Sequence, residues 1–277
     1  MMGLFASIIY GFVSGLTEIL PVSAQANQMV MRQLFGMAHK EPIRDLLVHI
    51  AVLAALILAC RGMINKIRRE QVLAYRMRRN PSQVHALKGV YDMRLVRSAT
   101  PIMCVGIFIG LFMPNFYDKR LLFSFVLILN AVLTLVPTYM HQGNRDARSM
   151  SGMDGMLIGL AAAFSAIPGI SRNGAIMSMT LLREADKRNG VTWGLLLSIP
   201  ALIVLMIVDF ISMFTVGVGT LTLATVAGYF LSAFAAFVGT YLAVLFLRNL
   251  IARSDYSGFA FYDFGLALFS FVLYLIA

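Results

Sequence analysis

The sequence IPGISR at residues 167–172 interrupts an apolar stretch that runs from 153 to 182, and LPVS at residues 20–23 interrupts another that runs from 3 to 36. The apolar halves beside each break are only about 12–17 residues long, which is short for crossing a ~30 Å hydrocarbon core. Non-helical backbone is tolerated at membrane depth only where protein or a water-filled cavity satisfies its polar groups. Each stretch is therefore predicted to form a re-entrant hairpin, a helix–break–helix unit that enters and leaves the membrane on one side.

The composition of the whole chain indicates an integral membrane protein. Of its 277 residues, 59% are hydrophobic and 13% are charged, whereas a soluble domain carries about 25% charged residues. The mean hydropathy is +0.80. Six further segments are predicted as membrane spans: 45–60, 98–114, 121–140, 191–212, 220–247 and 258–276. We therefore predict one all-α membrane domain over residues 1–277, with six transmembrane helices and two re-entrant hairpins.

The distribution of positive charge sets the predicted orientation. The net charge is +10, and residues 61–97 contain ten Lys and Arg against Glu70 and Asp92. Such a concentration between spans is typical of cytoplasmic loops, and it favours anionic lipid headgroups over nucleic acid as the partner of this segment. Loop 61–97 is therefore predicted to be cytoplasmic, which places both termini outside.

The order of the elements predicts an inverted repeat. Residues 1–140 contain the first hairpin and three spans, and residues 153–277 contain the second hairpin and three spans. Because three is an odd number, the second half enters the membrane from the opposite side. Inverted repeats whose broken helices meet near the midplane occur in transporters, where they form the binding site. We therefore predict that the two breaks share one cavity.

Arg172 is the most informative residue of the second break. A charge at this depth is unfavourable by several kcal/mol, of the order of ~3 kcal/mol, unless it is paired or hydrated. Arg172 precedes the apolar run from Ala175 to Leu182, so it begins a helix whose free N–H groups and dipole suit an anion. Its guanidinium adds a fork of donors that matches phosphate. The alternative is a purely structural ion pair with Glu18.

Glu18 is the only carboxylate in the first hairpin. It is predicted to bind a cation, to carry a proton, to pair with Arg172 or to be a solvated residue at a helix end, and the sequence leaves these roles open. Ser23 and Gln25 at the first break are predicted either to cap the helix or to contact a ligand. His49 is predicted to be a satisfied histidine near the outer end of a span. Two further acids at span ends are predicted to reach water: Asp209 and Asp263.

At these motifs the sequence resembles the bacterial undecaprenyl-diphosphate phosphatase family, known also as the bacitracin-resistance family. The matching stretches are GLTEILPVS at 15–23, PGISRNGA at 168–175, LLSIP at 196–200 and FAFY at 259–262. The likeness covers nearly the whole chain. It implies six spans with two re-entrant helix pairs in the bacterial plasma membrane, and undecaprenyl diphosphate or monophosphate, the lipid carrier of cell-wall synthesis, as the substrate.

The chain departs from this family at the positions that hydrolysis needs. Ser14 replaces the first acid of a Glu-x-x-x-Glu pair, Ala24 replaces a serine proposed as nucleophile, and Asn27 replaces a histidine. In the second hairpin, Ala162 replaces a glutamine and Asn173 replaces a serine. Alanine cannot attack phosphorus, and asparagine cannot act as a general acid–base near pH 7.

The sequence therefore predicts a site that retains the groups that bind phosphate and lacks some of the groups that hydrolysis needs. The residues expected to contact phosphate are Arg172, Ser171, Asn173, Gly174, Gln25 and Asn27. Glu18 and Ser23 would be catalytic only if the chain is an enzyme, and in that case Mg²⁺ or Ca²⁺ is left open as a cofactor. Glu18 alone makes a weaker metal site than a pair of acids.

Three functions remain open from the sequence. The first is a carrier, similar to a flippase, that binds a polyprenyl phosphate or diphosphate and moves it across the membrane. The second is an active diphosphatase with a site modified around Glu18, Ser23 and Arg172. The third is a non-catalytic relative that binds the lipid or a protein partner, and a homodimer is left open in each case.

Overall fold

The computed structural model describes residues 3–36, 41–79, 91–112, 120–139, 143–219, 221–251 and 257–276. The described residues are organised as α-helices connected by short turns. The helices are α1 Leu4–Thr17, α2 Ala24–Leu34, α3 Pro42–Arg79, α4 Tyr91–Ile109, α5 Arg120–Tyr139, α6 Gly152–Ala163, α7 Arg172–Leu182, α8 Lys187–Thr215, α9 Leu223–Ile251 and α10 Ser257–Ile276. Short 3₁₀ turns follow α4 and α6, at Gly110–Phe112 and Phe164–Ala166.

Each predicted span falls on one of six helices: α3, α4, α5, α8, α9 and α10. Four helices within the described ranges are both long and apolar enough to cross a membrane: Pro42–Arg76, Lys187–Thr215, Leu223–Leu250 and Ser257–Leu275. Helix α4 carries Asp92, Arg94 and Arg97 in its first two turns, which lowers its mean hydropathy. The structure therefore supports an all-α multi-pass membrane protein.

The basic segment 61–97 is largely helical, which corrects its prediction as a loop. Helix α3 continues without a break to Arg79 and contains 38 residues, a length of about 57 Å at ~1.5 Å per residue. Residues 80–90 of the segment lie outside the described part of the chain, and α4 begins at Tyr91. The extension is rich in Arg and Lys, which are good helix formers, so leaving the apolar region did not end the helix.

The helices of the two halves pack on each other in a crossed pattern. Helix α1 packs along α9, and α6 packs along α4. In the same way, α3 packs on α9 while α8 packs on α4, and α5 pairs with α10. Val52 and Leu56 of α3, Leu195 of α8 and Val244 of α9 are buried in one shared core. Helices α1 and α6 are thus each held by a helix that is distant in sequence.

Glycines allow the first helix of each hairpin to approach its neighbour closely. A Cβ on Gly15 of α1 would lie 2.2 Å from the Ala236 carbonyl oxygen of α9. A Cβ on Gly159 of α6 would lie 2.3 Å from the Ala99 carbonyl oxygen of α4. Real Cβ atoms do not come this close, so the backbones are in direct contact, as in small-residue packing between membrane helices.

The start of α6 is fixed by a buried carboxylate. Asp154 accepts hydrogen bonds from the backbone N–H of Ser151 at 2.8 Å and from Arg183 Nε at 2.6 Å, and it pairs with Arg145 at 3.2 Å. Ser151 in turn caps the helix, so the two residues form a capping box. This cluster joins the start of α6 to the end of α7.

We predict that Asp154→Asn lowers the free energy of unfolding by about 2 kcal/mol, because it removes the charge that both arginines contact. Thermal unfolding in detergent is the measurement. The matched control is Asp146→Asn: Asp146 is exposed and caps a turn, and asparagine is an equally good capping residue. Equal losses in the two variants would contradict a structural role for the buried cluster.

Candidate functional site

The first break lies between α1 and α2 and is closed by a serine cap. Helix α1 ends at Thr17, and α2 begins at Ala24 with Ser23 as its N-cap. The Ser23 hydroxyl accepts a hydrogen bond from the Ala26 N–H at 3.2 Å and is fully buried. Of the two roles left open for Ser23, the structure therefore shows the cap.

The second break repeats this arrangement. After the 3₁₀ turn at Phe164–Ala166, the chain passes through Gly169, which adopts a φ of 108° that favours glycine. Helix α7 then begins at Arg172, and the Ser171 hydroxyl accepts from the Gly174 N–H at 3.0 Å. Arg172 thus lies at a helix N-terminus, as the sequence predicts.

A buried Asn–Asp pair connects the two breaks. Asn130 of α5 accepts the Ser171 backbone N–H at 2.8 Å, and Asp263 of α10 accepts the Ser23 backbone N–H at 3.3 Å. Asn130 also donates to Asp263 at 2.6 Å. The prediction that Asp263 reaches water is wrong, since its side chain is fully buried. The position of Asp263 at the end of an apolar span does not reveal that its carboxylate accepts a backbone N–H from a distant part of the chain.

The structure brings Arg172 and Glu18 into direct contact. Arg172 Nη2 donates to the Glu18 carboxylate at 3.2 Å and to the Glu18 carbonyl oxygen at 3.2 Å. Both side chains are buried. The Arg172 Nε–H is buried as well, and it has no hydrogen-bond partner. The guanidinium therefore pairs with Glu18 through Nη2 and keeps a buried Nε–H without an acceptor.

Asn173 connects the breaks rather than offering free donors. Its Nδ2 donates to the carbonyl oxygens of Glu18 at 3.2 Å and Ile19 at 2.8 Å. Its Oδ1 accepts from the Ser198 hydroxyl at 3.0 Å. Asn27 is also fully engaged, because it donates to the Ser23 carbonyl oxygen and accepts from the Tyr262 hydroxyl. Both amides satisfy protein groups in the structure.

A cavity of about 310 Å³ lies between the two breaks. Of the residues singled out from the sequence, it is lined by Glu18, Gln25, Ser171, Arg172 and Asn173. Ala24, at the position of the family's proposed nucleophile, also lies in the wall. The lining does not include Ser23, Asn27 or Gly174, which lie behind it. The breaks of both hairpins therefore contribute to one cavity.

His49 and Asp209 line the same cavity, which the sequence reading missed. His49 Nδ1 lies 2.5 Å from Asp209 Oδ2, and His49 Nε2 lies 3.6 Å from Glu18 Oε1. Both residues are buried, so the prediction that Asp209 reaches water is wrong. A signal was available: His49 and Asp209 are polar residues inside apolar segments, and such residues usually face a partner or a cavity.

A second ion pair lies further along the cavity. Arg32 of α2 pairs with Asp45 of α3 at 2.6 Å, and both line the cavity. The Tyr10 hydroxyl donates to Asp45 at 3.0 Å and accepts from Arg32 at 3.0 Å. Gln25, Gln28 and Arg32 follow the i, i+3, i+7 spacing of one helix face, so α2 presents a polar stripe to the cavity.

Among the described residues, the side chains around Glu18 do not form a preformed site for a divalent cation. Within the described residues, no group of three or more His, Cys, Asp and Glu side chains is placed to hold a metal ion. Mg²⁺ and Ca²⁺ need several oxygen ligands. The residue one turn before Glu18 is Ser14, and Glu18 itself is engaged by Arg172.

The fold and the cavity define a multi-pass helical membrane protein with a charged site enclosed between two broken helix pairs. The chain belongs to the family described as bacitracin resistance protein BacA, whose model matches residues 7–269.

Curated relatives match over almost their full length. Undecaprenyl-diphosphatase 1 of Shouchella clausii is 28% identical over 276 residues, which cover 98% of this chain and 96% of the relative. An undecaprenyl-diphosphatase of Desulforudis audaxviator is 30% identical over 280 residues, with 98% of each chain covered. An undecaprenyl-diphosphatase of Treponema denticola is 28% identical over 270 residues, with 96% of each covered.

Proposed function

We propose that the chain binds undecaprenyl phosphate or diphosphate in the cavity and acts in lipid-carrier recycling as a carrier with a degenerate catalytic site. The observation that carries this proposal is the contrast between the two breaks. Arg172 lines the cavity and its buried Nε–H has no hydrogen-bond partner, whereas Ser23 is buried in a helix cap and Ala24 lies in the cavity wall. The site has a phosphate-binding group and lacks the family's nucleophile.

The second break has the properties of an anion site. Arg172 begins α7, so its guanidinium and the positive end of the helix dipole lie together. Guanidinium–phosphate hydrogen bonds are charge-assisted and are stronger than neutral ones. A phosphate that displaced the Glu18 carboxylate would gain Nη2 as well as the unused Nε. The isoprenoid tail would extend between apolar helix faces into the lipid.

The residues of the first break offer little chemistry. The Ser23 hydroxyl accepts from the α2 backbone and lies outside the cavity lining. The Asn27 amide is engaged at both ends. A phosphomonoesterase or diphosphatase needs a nucleophile or activated water and a proton donor for the leaving group. Neither residue is free to supply these roles, which supports carriage over hydrolysis.

The proposed membrane arrangement has six spans and two re-entrant pairs, α1–α2 and α6–α7, related by an inverted repeat over 1–140 and 153–277. The crossed packing of α1 on α9 and α6 on α4 supports this arrangement. With segment 61–97 cytoplasmic and both termini outside, the ends of α2 and α8 lie at the outer face. Arg32 and Thr215 from those ends line the cavity, so it extends toward the outer side.

An active diphosphatase remains the second candidate because of His49. A histidine whose Nδ1 is held by a carboxylate, with Nε2 facing a cavity, resembles the oriented base of hydrolytic sites. Asp209 holds Nδ1 at 2.5 Å, and His49 lines the cavity. In this reading His49 would activate water, and Arg172 would hold the phosphoryl group.

Phosphate release separates the two candidates. We predict that purified protein in nanodiscs, given undecaprenyl diphosphate with Mg²⁺ or Ca²⁺, binds the lipid and releases no phosphate above that of empty nanodiscs. The physical reason is the absence of a free nucleophile on α2. Turnover that disappears in His49→Gln would support the diphosphatase instead. Lipid bound without turnover, and flipped in liposomes, would support the carrier.

A further inference from the structure

Four buried side chains form a continuous series of contacts between charged and titratable groups beside the cavity. Arg172 of α7 contacts Glu18 at 3.2 Å, Glu18 contacts His49 of α3 at 3.6 Å, and His49 contacts Asp209 of α8 at 2.5 Å. All four line the cavity. This series of contacts therefore connects both breaks to α3 and α8. A proton at His49 would change the electrostatic potential at the position of the headgroup.

The charges of these four side chains sum to zero only when His49 carries a proton. Glu18 and Asp209 contribute two negative charges, and Arg172 contributes one positive charge. With a neutral imidazole the four groups carry a net charge of −1, and with an imidazolium they are neutral. An uncompensated charge is unfavourable in a membrane interior. The neighbouring pair Arg32–Asp45 is already balanced within itself.

A phosphate headgroup would upset this balance. It brings at least one negative charge to Arg172, next to the Glu18 carboxylate. The headgroup and Glu18 would then compete for one guanidinium, and the anionic excess would stabilise the proton on His49, which contacts Glu18. Binding of the anion and binding of the proton would therefore favour each other, and such coupling is reciprocal.

We infer that His49 is a proton-binding site coupled to headgroup binding: a phosphate-bearing lipid in the cavity makes His49 hold its proton more tightly, so that binding is accompanied by proton uptake at a pH where the ligand-free site has lost that proton. This inference rests on the proposed function, and it names the proton as the coupling ion of the carrier. The imidazole would hold the proton at Nε2, facing Glu18, while Nδ1–H remains bonded to Asp209. No covalent step is involved.

The other elements packed against His49 do not supply a competing charge. On α3 itself, Asp45 lies one turn earlier and is bound to Arg32, and the buried Arg44 pairs with Glu41 at 2.8 Å. Helix α1 contains no charged residue. Helix α9 carries one charged residue, Arg248, which lies in its last turn. Helix α4 meets α3 through the Lys66–Asp92 pair, several turns along α3 from His49. Glu18 and Asp209 are therefore the groups that respond to the charge of His49.

The test is the number of protons exchanged on binding. Full-length protein in phosphatidylcholine nanodiscs is titrated with farnesyl monophosphate by calorimetry at several pH values from 7 to 10, at each pH in two buffers whose ionisation enthalpies differ. The difference in apparent enthalpy gives the protons taken up. His49→Gln, which keeps a polar side chain of similar size, is titrated in parallel, so that protonation of the ligand itself is common to both and cancels.

At the alkaline end of this range, where the ligand-free site has lost its proton, we expect the wild-type protein to take up more protons than His49→Gln, by an amount approaching about one per bound headgroup. Asp209→Asn should also lower the proton uptake, because it removes one of the two negative charges that stabilise a proton on His49. Equal proton uptake in wild type and His49→Gln, with binding intact in both, would overturn the inference and leave the proposed function standing. If wild-type protein and Arg172→Gln bind the ligand equally weakly, the proposed function itself fails. Thermal unfolding checks that each variant is folded.

Discussion

Replacing Arg172 with glutamine is expected to weaken binding of a polyprenyl monophosphate by about 150- to 5,000-fold. The substitution removes the buried guanidinium that would hold the phosphate, and losing one partner of a buried charge pair costs about 3–5 kcal/mol. The glutamine amide is similar in size, so the change acts on charge more than on packing. Binding is measured by calorimetry in nanodiscs with the same lipid for each variant.

Two controls separate binding from folding. Arg148→Gln removes an exposed arginine that pairs loosely with Asp146 at 3.9 Å, and it should leave affinity within about twofold. In Arg172→Gln, the Glu18 carboxylate stays buried near His49 without its guanidinium. The double variant Glu18→Gln/Arg172→Gln removes both charges, so it should regain stability and still fail to bind. Recovery of binding in the double variant would show that Arg172 is structural.

Gly15→Ala is expected to lower the free energy of unfolding by about 3 kcal/mol or more, the upper range for overpacking. The added Cβ would lie 2.2 Å from the Ala236 carbonyl oxygen and 2.8 Å from its Cα. These are backbone atoms of α9, so a side-chain rotation cannot relieve the contact. Separation of α1 from α9 would also break the bond from the Thr240 hydroxyl to the Gly15 carbonyl oxygen.

The matched control is Gly62→Ala in α3. Gly62 is also helical, but a Cβ there meets nothing within 4 Å. Alanine should therefore be neutral or stabilise the helix by up to about 1 kcal/mol, its propensity advantage over glycine. Thermal unfolding in one detergent compares the two variants. If Gly15→Ala and Gly62→Ala unfold at the same temperature, the close approach of α1 to α9 is wrong.

The sequence was sufficient to locate the helices and the breaks, because both leave local signals. Apolar length and charge density identify spans, and Pro168 and Gly169 mark a chain that cannot continue as a helix. The position of Arg172 at the start of α7 follows from the same signals. These features depend on neighbours in sequence, so a single sequence contains them.

The remaining features depend on partners that are distant in sequence. Nothing near Asp263 indicates that it would accept the Ser23 N–H, or that Asn130 would complete the bridge. His49 meets Asp209 only because α3 packs on α8. The extent of α3 to Arg79 was missed for a different reason: hydropathy reports the end of the apolar region, and a polar helix can continue beyond it.

The central claim, that Arg172 holds the phosphate of a lipid in the cavity between the breaks, is tested most directly by an electron cryomicroscopy structure with bound undecaprenyl phosphate. We predict phosphate oxygens within about 3.2 Å of the Arg172 guanidinium nitrogens, with Glu18 turned away from Nη2. Phosphate density on the basic face of α3, at Arg68, Arg69 and Arg76, with the Arg172–Glu18 pair intact and the cavity free of lipid, would contradict it.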